Sequence, residues 1–106
     1  MPPGMRSFRI ISERKVHRAG EKGETMPLYL IERNFAEQVT MTNDIVAGAK
    51  PVIAEEGNQW LRSFLSADKK KMYCLYDAPN PDTILAAAKR LGLPADVIIP
   101  VEEIQP

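Results

Sequence analysis

The sequence contains one cysteine and one histidine, and this scarcity excludes several kinds of site. A single cysteine, Cys74, cannot form a disulfide within the chain, so stability must come from packing, and a reducing compartment is compatible. The lone histidine is His17, and no HxH, HxxxH or CxxC spacing is present. Because soft divalent metals favour thiolate and imidazole ligands together, we expect no metal site and no cofactor.

Net charge and long apolar runs are also lacking. The 14 basic and 14 acidic residues balance, and residues 1–25 hold six basic and three acidic ones. Residues 26–106 therefore hold eight basic and eleven acidic residues, a net charge of −3, which argues against nucleic-acid binding. No run approaches the roughly 18 apolar residues of a membrane span, and no secretory signal is visible. We therefore expect a cytoplasmic protein without a membrane partner.

The 106 residues suffice for one domain with a modest core. Charged residues, with Gly20 and Gly23, dominate residues 1–25, which we interpret as a weakly structured N-terminal extension. The alternative is that these residues form a basic arm that binds a partner. Residues 26–106 are predicted to form the folded domain.

The most regular stretch is QWLRSFLSADKKKMYCLYDA, residues 59–78. Its two runs of strand-forming residues, Gln59–Ser66 and Lys71–Asp77, flank a short turn and predict a β-hairpin. Alternation with period two assigns the side chains to two faces. The predicted core face carries Leu61, Leu65 and Leu75. The predicted opposite face carries Trp60, Arg62, Cys74 and Tyr76.

Caps and breakers mark the other elements of the domain. They predict a strand at Leu28–Arg33, a helix from Thr42 through Pro51 to Gly57, a helix from Asn80 to Gly92, and an edge strand at Asp96–Val101. The order strand, helix, strand, strand, helix, strand is typical of the α+β ferredoxin-like βαββαβ fold. That fold has a four-stranded antiparallel sheet with helices on one face only.

Three stretches, MPLYLIERNF, WLRSFLSADKKKMYCLYDAPNPDTI and LGLPAD, resemble the small nickel-binding-protein-like family of ferredoxin-like domains. The resemblance covers roughly residues 26–103 and implies a homodimer, a dimeric α/β barrel whose two sheets meet across their helix-free faces. The metal-binding member is recognised by several histidines, and this sequence departs there. Arg62, Ala87 and Leu91 stand where relatives carry histidine, so the resemblance implies the fold without a nickel site.

The predicted helix-free face also defines a candidate ligand site. Its aromatic and apolar residues, which would meet a second copy, are Trp60, Phe64, Met72 and Tyr76. The candidate ligand-binding residues are Glu32, Trp60, Arg62, Cys74 and Tyr76. Polar groups there become partly desolvated once the dimer closes, so they need each other, water or a ligand as partners. An internal ion pair between Arg62 and Glu32 is the alternative to a ligand.

Two classes of function remain open. The first is a homodimeric binding or assembly module that holds a small apolar or weakly anionic ligand. The second is a cofactor-free enzyme of the dimeric α/β-barrel kind, a monooxygenase or isomerase using Arg62, Tyr76 or Glu32 as its polar group. No Gly-rich phosphate loop, GxSxG motif or Ser/His/Asp set is present, so no catalytic residue is assigned. The absence of histidine from residues 26–106 favours the first class.

Overall fold

The computed structural model describes residues 26–106, which contain four strands and two helices. The elements are β1 (Leu28–Asn34), α1 (Asn43–Glu55), β2 (Gln59–Leu65), β3 (Lys71–Asp77), α2 (Pro81–Leu91) and β4 (Val97–Val101). The strands form one antiparallel sheet in the order β2-β3-β1-β4. The predicted ferredoxin-like α+β fold is therefore confirmed. The prediction for residues 1–25 lies outside the described residues.

Both helices begin at the predicted polar caps. The Thr42 hydroxyl and the Asn80 side-chain oxygen each accept a hydrogen bond, at 3.2 Å, from the backbone N–H three residues on. Each cap thus satisfies an amide that has no partner within its helix. Pro51 lies inside α1, as the sequence predicts, and α2 ends at Gly92, which adopts the left-handed conformation with φ 69°.

The hydrophobic core lies between the two helices and one face of the sheet. From the sheet it takes Tyr29, Ile31, Met72, Cys74 and Tyr76, and from the helices Ile53, Ile84 and Ala87. The assignment of the β3 faces from the sequence is therefore wrong, because Cys74 and Tyr76 lie beneath the helices. In β2, by contrast, Leu65 and Arg62 lie on the faces predicted for them. Leu75, which was predicted to face the core, lies on the helix-free face. Cys74 and Tyr76 therefore occupy core positions of the sheet, where the sequence analysis had placed leucine side chains.

A β-bulge in β2 changes which side chains face the helices. Trp60 pairs with Tyr76, whereas Arg62 pairs with Leu75, so Leu61 is an extra residue in β2. Directly opposed residues of an antiparallel pair share a face. Trp60 therefore lies on the helix-covered face and Arg62 on the helix-free face. The hairpin alternation predicted from the sequence fails here because the bulge shifts its phase by one residue.

Two units are distinguished by their internal contacts. Pro27–Val101 form one unit, which contains all six elements, while Glu102–Pro106 carry no helix or strand. Neither α1 nor α2, the helices of the described residues, is long and apolar enough to cross a membrane.

A buried asparagine joins the two helices to the start of β2. Asn58 is only 5 % exposed. Its Nδ2 donates to the carbonyl oxygens of Ile53, at 3.2 Å, and Thr83, at 3.0 Å. Its Oδ1 accepts from the Thr83 hydroxyl at 2.8 Å. One side chain therefore satisfies polar groups at the end of α1 and in the first turn of α2.

We expect Asn58→Ala to lower the free energy of unfolding by about 2–3 kcal/mol, because it removes three hydrogen bonds from a buried side chain that joins the two helices. The matched control is Gln59→Ala at the next position, which is exposed and should cost less than about 1 kcal/mol. Urea denaturation followed by circular dichroism measures both values. Equal losses for the two variants would contradict the role assigned to Asn58.

Candidate functional site

A cavity of about 180 Å³ lies between α1 and the helix-covered face of the sheet. Its apolar walls include Met41, Val46, Ile53, Trp60 and Met72, and its polar wall consists of Arg33, Cys74 and Tyr76. An apolar cavity of about 150 Å³ can hold a benzene molecule. This cavity therefore has room for a molecule of about the size of one aromatic ring. Apolar walls with a few converging polar groups are typical of small-molecule sites.

Arg33 supplies the charge in this wall, and its side chain is 1 % exposed. Its Nε donates to the sulfur of Cys74 at 3.4 Å, its Nη1 to the carbonyl oxygen of Pro94 at 2.8 Å, and its Nη2 to the hydroxyl of Tyr76 at 3.0 Å. Within residues 26–106, none of the ion pairs joins a carboxylate to Arg33. In this part of the chain, the buried positive charge is thus held by neutral partners, without a carboxylate in an ion pair.

That arrangement has an energetic consequence. Removing a guanidinium from water costs several kcal/mol unless an opposite charge or a full set of hydrogen bonds replaces the water. A guanidinium has five N–H donors, and the three contacts of Arg33 use three of them. The remaining donors and the positive charge suit a further acceptor, preferably a negatively charged one.

Tyr76 is the neutral partner of this cation. Burial raises the pKa of Tyr76 to about 12, and the positive charge of Arg33 opposes only part of that rise. The hydroxyl therefore keeps its proton at neutral pH. Since its oxygen accepts from Arg33, its hydrogen remains able to donate to a second acceptor. The Cζ atom of Arg33 lies 6.0 Å from the centroid of the Tyr76 ring, which adds a cation–π contact.

The five candidate residues predicted from the sequence do not share one face. Three of them line the cavity: Trp60, Cys74 and Tyr76. Glu32 and Arg62 lie on the opposite face of the sheet, in β1 and β2, with β3 between those strands. The cation paired with Glu32 is Lys71, at 3.2 Å, and not Arg62, which was the alternative to a ligand in the sequence analysis. Ligand binding by these five residues stays a prediction.

Arg33 is the residue that the sequence analysis missed. In β1 it has the same parity as Tyr29 and Ile31, both of which are buried in the core. The sequence does show that Arg33 shares a strand face with apolar residues. That pattern indicates a buried arginine only if this face is known to be the one that the helices cover.

Acidic and sulfur ligands do not gather elsewhere in the part of the chain that the structure describes. There, no three side chains of His, Cys, Asp or Glu lie close enough together to hold a metal ion. The single histidine, His17, falls outside this part.

Comparisons with known proteins give one family and one structure. Residues 29–101 match the family model described as nickel responsive protein SCO4226-like. The crystal structure of SCO4226 from Streptomyces coelicolor A3(2) is similar, with a TM-score of 0.58 and 17 % sequence identity. The match covers 74 % of this chain and 99 % of that one, and at this identity it shows the fold alone. None of the curated proteins matches this chain significantly.

The raised pKa of Tyr76 makes stability depend on alkaline pH. In the unfolded chain a tyrosine ionises near pH 10, whereas Tyr76 in the folded protein keeps its proton to about pH 12. Its contribution to stability is therefore complete below about pH 10 and is lost as the pH rises through about 12, a loss on the order of 3 kcal/mol.

We expect Tyr76→Phe to remove this component of the decline in unfolding free energy above pH 10, since phenylalanine has no proton to lose. Tyr73→Phe is the matched control, because Tyr73 lies in the same strand on the opposite face. Urea denaturation at a series of alkaline pH values measures the slopes. A wild-type slope retained in Tyr76→Phe would contradict the assignment.

Proposed function

Because this chain belongs to the SCO4226-like family, we propose that it is a small-molecule-binding module related to the nickel responsive proteins. Its ligand occupies the cavity between α1 and the sheet. The observation that carries the proposal is the composition of the cavity wall, where the polar groups of Arg33, Cys74 and Tyr76 meet apolar side chains. This small set of directed polar groups is what orients a ligand in an otherwise apolar site.

A metal ion is a poorer occupant of this cavity than an organic molecule. The Arg33 guanidinium lies 3.4 Å from the Cys74 sulfur, the one soft ligand of the site, and its positive charge repels a bound cation. Imidazole, the usual companion of thiolate in nickel and zinc sites, is absent from residues 26–106. The expectations of no metal and of a cytoplasmic location stay predictions.

Catalysis is the second function class left open by the sequence. A general base or acid works best when its pKa lies near the working pH. Tyr76, whose pKa is raised to about 12, lies far from that range. Since residues 26–106 contain no histidine either, a cofactor-free monooxygenase or isomerase receives less support than a binding module.

The proposed site is reached from solvent beside α1. Ile45 lines the cavity and yet is 48 % exposed. Gly48 also lines the cavity and is exposed, and no atom lies within 4 Å of the point where a Cβ at this position would stand. Glycine inside a helix costs roughly 0.5–1 kcal/mol relative to alanine. Its presence here supports an access path that a larger side chain would close.

We expect Gly48→Leu to keep the fold, to gain helix stability, and to weaken binding of ring-sized molecules at least roughly tenfold by closing this path. Ala47→Leu is the matched control, because Ala47 is exposed on the same helix and does not line the cavity. Saturation-transfer NMR with a set of neutral and charged ring-sized fragments measures the binding. Equal binding to both variants would place the ligand elsewhere, and no binding to the wild type would contradict the proposed function.

A second copy of the chain is the proposed partner of the helix-free face. Phe64 on this face is 59 % exposed in the edge strand β2, and Val97 and Ile99 are exposed on the same face in the other edge strand, β4. A sheet face that exposes several large apolar side chains is typical of an interface. These residues replace the contact set predicted from the sequence, of which only Phe64 lies on this face. Trp60, Met72 and Tyr76 of that set contribute to the core instead.

We expect a homodimer at micromolar concentration, which Phe64→Asp shifts toward monomer because it buries an unpaired charge in the proposed apolar contact. Leu85→Asp is the matched control, an exposed leucine on α2 that is distant from this face. Sedimentation velocity reports both states. A wild type that sediments as a monomer would rule out the proposed partner.

A further inference from the structure

The buried positive charge of Arg33 in the cavity wall indicates the charge of the ligand. Arg33 is held by a carbonyl, a hydroxyl and a sulfur, and no carboxylate of residues 26–106 forms an ion pair with it. Two solvent-accessible cations of this domain, unlike Arg33, form ion pairs with carboxylates. Lys71 pairs with Glu32, and Arg90 pairs with two glutamates, although both cations are open to water. The positive charge that most needs a counter-charge is therefore the one that the described residues leave without any.

We propose that the ligand is a small organic anion, a monocarboxylate with an apolar body of about one ring. This inference rests on the proposed function and names the chemical class of the ligand. The carboxylate binds at Arg33 and Tyr76, and the apolar body lies against Met41, Val46 and Ile53. The occupant is identified by its chemistry: one negative charge at one end and carbon at the other.

The geometry of the polar wall suits a carboxylate in two ways. A guanidinium presents its N–H groups as a planar fork that matches the two oxygens of a carboxylate. The Tyr76 hydroxyl accepts from Arg33 and can donate its own hydrogen to the same anion. Since the pKa of Tyr76 is raised to about 12, this donor persists over the whole physiological range.

The combination of a buried cation with apolar walls disfavours two other kinds of ligand. An inorganic anion such as phosphate leaves the apolar wall uncovered and gains nothing from its burial. A neutral molecule of the same shape fills the cavity but leaves the charge of Arg33 uncompensated. A site that contains both a cation and an apolar wall therefore prefers an amphipathic anion to either, by roughly ten- to a hundredfold for the charged hydrogen bonds.

The test compares benzoate with benzamide, two molecules of nearly equal shape of which only the first is charged. Isothermal titration calorimetry on the full chain is expected to show benzoate binding at least roughly tenfold more tightly than benzamide. Acetate, which has the charge without the ring, should bind more weakly than benzoate. In Arg33→Met the preference for benzoate should vanish while benzamide still binds. Lys89→Met, which removes an exposed positive charge from α2, should keep the preference.

Thermal unfolding without ligand separates binding from a structural role of Arg33. Replacing an uncompensated buried charge by methionine should leave the unfolding temperature unchanged or raise it. If the main role of Arg33 is to anchor the Pro94 carbonyl, Arg33→Met should unfold at a lower temperature and the wild type should not prefer benzoate, which overturns the inference. Should Arg33→Met fail to fold, Arg33→Lys retains the charge without the fork. It should then bind benzoate more weakly than the wild type but still more tightly than benzamide.

The inference and the proposed function fail in different ways. Equal affinity of the wild type for benzoate and benzamide overturns the anion preference and leaves a binding cavity in place. If neither molecule binds, and no fragment of the NMR set distinguishes the wild type from Gly48→Leu, the cavity is not a binding site. Both the anion preference and the proposed function are then wrong.

Discussion

One buried guanidinium sets the main constraint on this small domain. Arg33 joins β1 to β3 through Cys74 and Tyr76 and joins both strands to the segment after α2 through Pro94. Three hydrogen bonds offset only part of the several kcal/mol that burial of such a charge costs. Methionine or leucine at this position would fill the core without that cost. We therefore attribute this charge to the proposed ligand, for which the adjacent cavity provides the space.

The sheet topology explains why this charge is so deeply buried. In the order β2-β3-β1-β4 the two central strands are β1 and β3, and they carry Arg33, Cys74 and Tyr76 on the face that both helices cover. The opposite face of the same sheet exposes Phe64 and Ile99. One four-stranded sheet thus divides two proposed roles between its faces, ligand binding beneath the helices and self-association on the helix-free side.

The sequence predicted the elements well because their signals are local. Caps at Thr42 and Asn80 and the glycine stop at Gly92 depend on neighbours within a few residues, and the structure has them where they were expected. The faces of β3 and of Trp60 were predicted wrongly because alternation has no information about which side the helices cover, and the bulge at Leu61 breaks its phase within β2. The cavity depends on how α1 lies over the sheet, so no pattern of spacing could reveal it. Arg33 was detectable only by its phase with Ile31.

The central claim is that the cavity holds an organic anion at Arg33. Native mass spectrometry of the full chain, followed by unfolding and identification of the released molecule, tests this claim directly. The account predicts a protein mass increased by one small molecule, which after release is detected as a monocarboxylate with an apolar body and is absent from Arg33→Met. A protein without a bound molecule, or one that carries a nickel ion or a neutral molecule that Arg33→Met also retains, would contradict it.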